Sequence, residues 1–179
     1  MGWRTSENDM NETPFYFAYG SNLLPARIEE RLGSCTQAGI GWLFGYELRF
    51  HKRSVDDSGK GNAAYTGDAA HQIYGALYRL NGGQKQRLDG FEGRGYRCDL
   101  LPICTSEGVR LAWTYVARAT KVDESLVPYD WYHQLVECGA RAVGLPDEYV
   151  HRISAVESKV DADVQRAGKN FALLPNAAN

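Results

Sequence analysis

Apolar residues recur every second position through the first two thirds of this chain and about every fourth position in the last third. Period two buries one face of a strand and period 3.6 one stripe of a helix, so the two patterns build different elements. Strands are expected over 15–19, 63–66 and 73–80. A further strand is expected over 39–50, where Trp42, Phe44, Tyr46, Leu48 and Phe50 alternate. Residues 96–104 and 109–117 read as a hairpin across Thr105, Ser106, Glu107 and Gly108. Helices are expected over 22–32, 83–88 and 128–143, with Trp131, Leu135, Cys138 and Ala142 on one face of the last. Another opens at Pro146, with Asp147 and Glu148 in its first turn and Tyr149, Ile153 and Val156 as its stripe. Strands first and helices last make an α+β chain rather than an alternating β-α-β one. Residues 73–80 are apolar on both faces, which suits a closed or covered sheet, so the expected fold is a small mixed β-barrel flanked by helices.

The 179 residues are enough for one domain with a real core, expected over 15–167, with tails at 1–14 and 168–179. Residues 51–61 are polar and read as an exposed loop. Twenty Lys and Arg against 22 Asp and Glu give a net charge of −2, spread along the chain. That balance asks for neither nucleic acid nor an anionic membrane, and no apolar run has the length of a membrane span. The polar start of the chain does not read as a signal peptide. Cys35, Cys98, Cys104 and Cys138 form no C-x-x-C pair and read as thiols in a reducing cytoplasm.

Chemistry has few places to sit. The four histidines are scattered and read as solvated, with no zinc-site spacing. No nucleophile elbow, dinucleotide fingerprint or Walker loop is present. Two features remain. Tyr19-Gly20-Ser21-Asn22 follows the apolar run at 15–18 and precedes a helical pattern. It is either a helix cap, with Ser21 or Asn22 capping and Gly20 taking a strained dihedral, or an anion cradle built from backbone N–H groups. Glu92 lies between Gly90 and Gly93 beside Phe91. It reads either as an exposed loop acid or as a carboxylate desolvated by Phe91 and Tyr96 and raised into the range of a usable base. Asp89 is the competing acid. Among the eleven tyrosines, Tyr96, Tyr115 and Tyr132 are candidates to line a pocket, but residue type alone does not single them out.

Phe-Ala-Tyr-Gly-Ser-Asn-Leu at 17–23, Leu-Asp-x-x-Glu-Gly at 88–93 and Cys-Gly-Ala-x-x-x-Gly-Leu-Pro-x-Glu-Tyr at 138–149 together resemble the γ-glutamylcyclotransferase family over roughly residues 15–160. The resemblance implies a small barrel with flanking helices. It implies that Tyr19, Gly20, Ser21, Asn22 and Leu23 hold the γ-glutamyl part of a small-molecule substrate, that Glu92 is the general acid/base, and that Tyr96, Tyr115 and Tyr132 line the pocket. No cofactor or metal is implied, and a homodimer stays open. Ser21-Asn22 is similar to the γ-glutamyl amino acid branch, whereas other branches carry Thr-Leu or Ser-Leu there. The reaction implied is attack of the substrate's own α-amine on its γ-carbonyl, releasing 5-oxoproline. Residues 51–61 and 123–132 are expected to border the leaving group. Removal of a γ-glutamyl group from a biosynthetic intermediate such as an antibiotic precursor, or ligand binding without catalysis, are the alternatives.

Overall fold

The computed structural model describes residues 14–175. The expected N-terminal tail falls almost wholly outside them. In chain order come β1 (Phe15–Ala18), a 3-10 turn (Ser21–Leu23), α1 (Pro25–Leu32), β2 (Thr36–Phe44), β3 (Tyr46–Arg53), β4 (Gly59–Tyr65) and β5 (Gln72–Arg79). Then follow α2 (Gly82–Glu92), β6 (Tyr96–Thr105), β7 (Gly108–Ala117), α3 (Asp130–Ala142), α4 (Asp147–Ser154) and α5 (Val164–Phe171).

Five strands close into a barrel in the order β1-β5-β2-β6-β7, so the expected α+β barrel is borne out. The closing pair is β1 with β7, parallel at Tyr16↔Trp113; β1 runs antiparallel to β5 at Tyr16↔Tyr78. The expected hairpin is β6–β7, in register from Tyr96↔Ala117 to Thr105↔Gly108. Phe17, Ile73 and Ile103 are buried among the barrel strands, while Leu23, Ile28, Leu88, Leu135 and Val150 carry the same core out to the helices. Each such side chain stabilises the fold by roughly 1.5–3 kcal/mol relative to exposure.

Several expectations are corrected. The alternating run at 39–50 is not one strand. It breaks at Gly45, whose φ of 77° turns the chain, so β2 joins the barrel and β3 leaves it to pair with β4 as a separate two-stranded sheet. Much of the supposed loop at 51–61 therefore belongs to this hairpin. His51 is only 6% exposed and His133 only 7%, so neither is solvated. His51 Nδ1 meets Glu124 at 2.9 Å and its Nε2 accepts from Asn62 at 2.9 Å; His133 Nε2 donates to the Ile153 carbonyl at 2.7 Å.

The second expected helix does not stop before Gly90. It begins at a capping box in which Asn81 accepts from the Gln84 N–H and the Gln84 side chain accepts from the Asn81 N–H. It runs on through Gly90 to Glu92 and ends at Gly93, φ 63°. A glycine inside a helix costs about 1 kcal/mol and does not by itself end it; the left-handed residue does.

In α3 the buried face is Trp131, Tyr132, Leu135, Val136, Gly139 and Ala140, while Ala142 is exposed. Gly139 is the contact point with the 3-10 turn: a Cβ there would lie 2.4 Å from the Leu24 nitrogen and 2.7 Å from the Leu23 carbonyl carbon. Residues 164–171 form α5, crossing Gly168, where the sequence reading begins a tail. Asp161 ties this segment to α3 by accepting from Trp131 Nε1 at 2.8 Å and from Arg166 Nε at 2.7 Å.

Candidate active site

Where β1 ends, the chain turns over the mouth of the barrel. Tyr19 is buried and its hydroxyl donates to the Tyr115 carbonyl. Gly20 has φ −107° and carries no left-handed strain. The N-cap of α1 is Leu24, and no side chain caps it. Pro25 at the first turn has no N–H to cap, which frees Ser21 and Asn22 from that role. A 3-10 turn leaves its first N–H groups without partners inside the turn, and here those belong to Ser21 and Asn22.

Asn22 turns its amide inward. Its Nδ2 donates to Tyr16 Oη at 2.9 Å and to Glu92 Oε1 at 3.3 Å. Its Oδ1 accepts from Arg31 at 2.9 Å. Asn22 must therefore point its amide oxygen toward Arg31 and its nitrogen toward Tyr16 and Glu92, so the amide orientation is determined by its neighbours.

Glu92 is the last residue of α2, where the carboxylate faces the negative end of the helix. It is a wall residue of a cavity of about 140 Å³. Burial raises its pKa; the charges of Arg31 and Lys52, the Asn22 hydrogen bond and the charge of Arg27 oppose this, and burial prevails. A carboxyl raised in this way is closer to the range in which a base works at neutral pH. Asp89, one helical turn earlier, is not in the cavity wall. It accepts from Lys85 at 2.6 Å and Tyr115 Oη at 2.6 Å. Partial burial acts upward on Asp89, but these bonds and the Lys85 charge hold its carboxyl below its usual range.

Tyr96, Tyr115 and Tyr132 all line the cavity, as do Tyr19, Gly20, Ser21 and Asn22. Tyr96 Oη donates to the Gly61 carbonyl at 2.7 Å, and Tyr132 Oη accepts from the Gly61 N–H at 3.0 Å. Together they clamp β4 between β6 and α3. Leu23 is the exception: it is fully buried against α3 and is absent from the wall.

Sequence reasoning missed Tyr16 and four cations in the wall: Arg27, Arg31, Lys52 and Lys60. The arginines had a signal, since i and i+4 share a helix face. The lysines had none, because their placement depends on β3–β4 register, in which Lys52 pairs with Lys60. Lys60 Nζ bonds Asp56 at 2.9 Å and Ser58 at 2.7 Å and lies 4.4 Å from the Trp131 ring centroid. Burial lowers its pKa to about 8 against the pull of Asp56.

Residues 72–153 match the model of the AIG2-like family. The chain is 30% identical over 152 residues to the γ-glutamylcyclotransferase of Mus musculus, covering 82% of this chain and 80% of the relative. This chain belongs to the γ-glutamylcyclotransferase family. It is 28% identical over 156 residues to the γ-glutamylcyclotransferase of Homo sapiens, with the same coverage of both chains. A solved γ-glutamyl cyclotransferase superposes with a TM-score of 0.74 at 25% identity, covering 88% of this chain and 99% of that one. As a member of the γ-glutamylcyclotransferase family, the chain is an enzyme of that type. No helix among the described residues is long and apolar enough to cross a membrane.

Proposed function

We propose that this cavity converts γ-glutamyl compounds into 5-oxoproline and a free amine or amino acid. The observation that carries the reading is the pairing of a half-buried Glu92, its pKa raised, with the Asn22 amide of the turn. The substrate's α-amine nitrogen attacks its γ-carbonyl carbon, forming the lactam C–N bond; the amide C–N bond then breaks. Glu92 accepts a proton from the attacking ammonium and returns one to the leaving nitrogen, so a single carboxyl serves both steps. Nothing is oxidised, and no water is consumed. Holding the γ-glutamyl chain folded supplies the proximity advantage of an intramolecular reaction. The backbone N–H groups of the turn at Gly20, Ser21 and Asn22 receive the α-carboxylate or the developing oxyanion. Tyr19, Tyr96, Tyr115 and Tyr132 wall the pocket; Leu23 supports the turn from behind.

The test is release of 5-oxoproline from γ-glutamyl dipeptides by purified protein. Glu92→Gln is expected to cut kcat by about 10²- to 10⁴-fold, the usual worth of a positioned acid/base. A folded Glu92→Gln protein with wild-type turnover would refute the assignment, and loss on Asp89→Asn alone would move it to the other acid.

A further inference from the structure

The cavity has two poles. At one, Glu92 faces Asn22 and Arg31. At the other, the β3–β4 hairpin brings Lys52 and Lys60 to directly paired positions, both in the cavity wall. Like charges opposite each other across an antiparallel pair are destabilising, so this arrangement needs a reason. Lys60 has local anionic company in Asp56. Lys52 makes no such contact: it feels the charges of Glu92 and Asp56, yet among the described residues its ammonium makes no hydrogen bond and no ion pair, and rests 4.6 Å from the centroid of Tyr96. It is partly buried there, and burial lowers its pKa while Glu92 pulls it up.

Charge balance sharpens the point. Arg27 is answered by Glu30 at 3.0 Å and Lys60 by Asp56. That leaves Arg31 and Lys52 facing one carboxylate, Glu92, a surplus of one positive charge. At neutral pH a γ-glutamyl amine is a zwitterion with no net charge. A γ-glutamyl amino acid carries a second carboxylate, on the leaving side, and a net charge of minus one. Only the second kind of substrate neutralises the cavity.

From this we infer that Lys52, with Lys60 beside it, forms the subsite for a carboxylate on the leaving group, and that this pair selects γ-glutamyl amino acids over γ-glutamyl amines. The inference rests on the cyclisation reading above and adds which residues of this pocket read the leaving group. Lys52 is the direct ligand, because its three N–H donors are uncommitted. Lys60, already bound to Asp56 and Ser58, adds field and keeps Lys52 from folding back over the hairpin.

The experiment compares γ-glutamyl-alanine with γ-glutamyl-alaninamide, which differ only in the leaving-side carboxylate. Wild-type protein is expected to favour the acid. Lys52→Met, which keeps the stem packed on Tyr96, is expected to lower the acid-to-amide ratio of kcat/KM about 10- to 100-fold, the usual worth of a charge-assisted contact, mainly through KM. Lys52→Arg is expected to restore most of it. Any influence of Lys52 on Glu92 acts on both substrates and cancels in the ratio. An unchanged ratio in a Lys52→Met protein that still melts cooperatively overturns the subsite. Wild-type protein that releases 5-oxoproline from neither compound overturns the cyclisation reading itself, and the subsite with it.

Discussion

Asn22 donates to Glu92 across 3.3 Å, joining residues 70 positions apart in the chain. That single amide also accepts from Arg31 and donates to Tyr16. It links the turn after β1, the end of α1 and the end of α2, so the position of the carboxylate depends on three elements meeting at one side chain.

Asn22→Ala removes this link. A hydrogen bond to the charged form favours that form, so its loss moves Glu92 further upward. The acidic limb of the pH–rate profile is expected to shift to higher pH, and kcat to fall about 10- to 100-fold as positioning is lost. Steady-state rates across pH, with γ-glutamyl-alanine as substrate, check both.

Glu92 also bears on stability. With a folded pKa raised above the unfolded one, the folded protein keeps its proton to higher pH. Stability therefore falls as pH climbs from the unfolded value through the folded one, and the cost remains above it. Glu92→Gln is expected to melt higher than wild type at pH 7, by roughly 2–4 °C if about 1 kcal/mol is recovered. The gain should vanish at acid pH, where both proteins carry a neutral side chain. Calorimetry at two pH values decides it.

Lys60 titrates in an accessible range. Burial lowers it to about 8, with Asp56 pulling upward and Arg166 and Lys52 pushing it down; Ser58 and the Tyr129, Trp131 and Tyr132 rings complete its surroundings. Its charge is present below that value and lost above it. KM for γ-glutamyl-alanine is expected to rise as pH passes through about 8, and KM for γ-glutamyl-alaninamide to rise less. The substrate ammonium is common to both compounds, so the difference between the two profiles isolates the lysine.

Gly139→Ala reverses the usual helix rule. In an open helix, alanine in place of glycine gains about 1 kcal/mol. Here the new methyl would meet the backbone of Leu23 and Leu24 at 2.4–2.7 Å. The expected result is destabilisation of about 1–3 kcal/mol from overpacking, together with lower kcat, because the displaced segment carries Asn22. Denaturant unfolding and turnover measured on the same preparation check the coupling.

The barrel was legible because its strands are β-type runs bounded by turn residues, although along β2 it is Gly41 and Leu43, not the alternating Trp42 and Phe44, that are buried. Glu92 and the turn could be singled out because their motifs lie in local sequence, which left the role of each open. Other features depend on register or on a neighbour. The polar stretch 51–61, where β3 ends and β4 begins, lacks the alternation that marks a strand, so Lys52 and Lys60 were hidden with it. Gly90 looked like a stop because sequence does not show that Gly93 supplies the left-handed residue. Leu23 sits in the same motif as Asn22, yet the 3-10 turn sends the two side chains to opposite sides, one into the core and one into the cavity.

Among the described residues the hairpin that carries the lysine pair ladders with no barrel strand: backbone bonds tie it to the 122–127 segment, Tyr132 ties it to α3, and Asn62 to the Ala117 N–H and Tyr96 to the Gly61 carbonyl moor it to the barrel. Its tip can therefore be rewritten without shifting a single rung of the barrel that positions Asn22 and Glu92. Descendants of this chain could change diet while keeping their chemistry, and a protein engineer seeking a new leaving group should begin at positions 52 and 60 and leave the barrel alone.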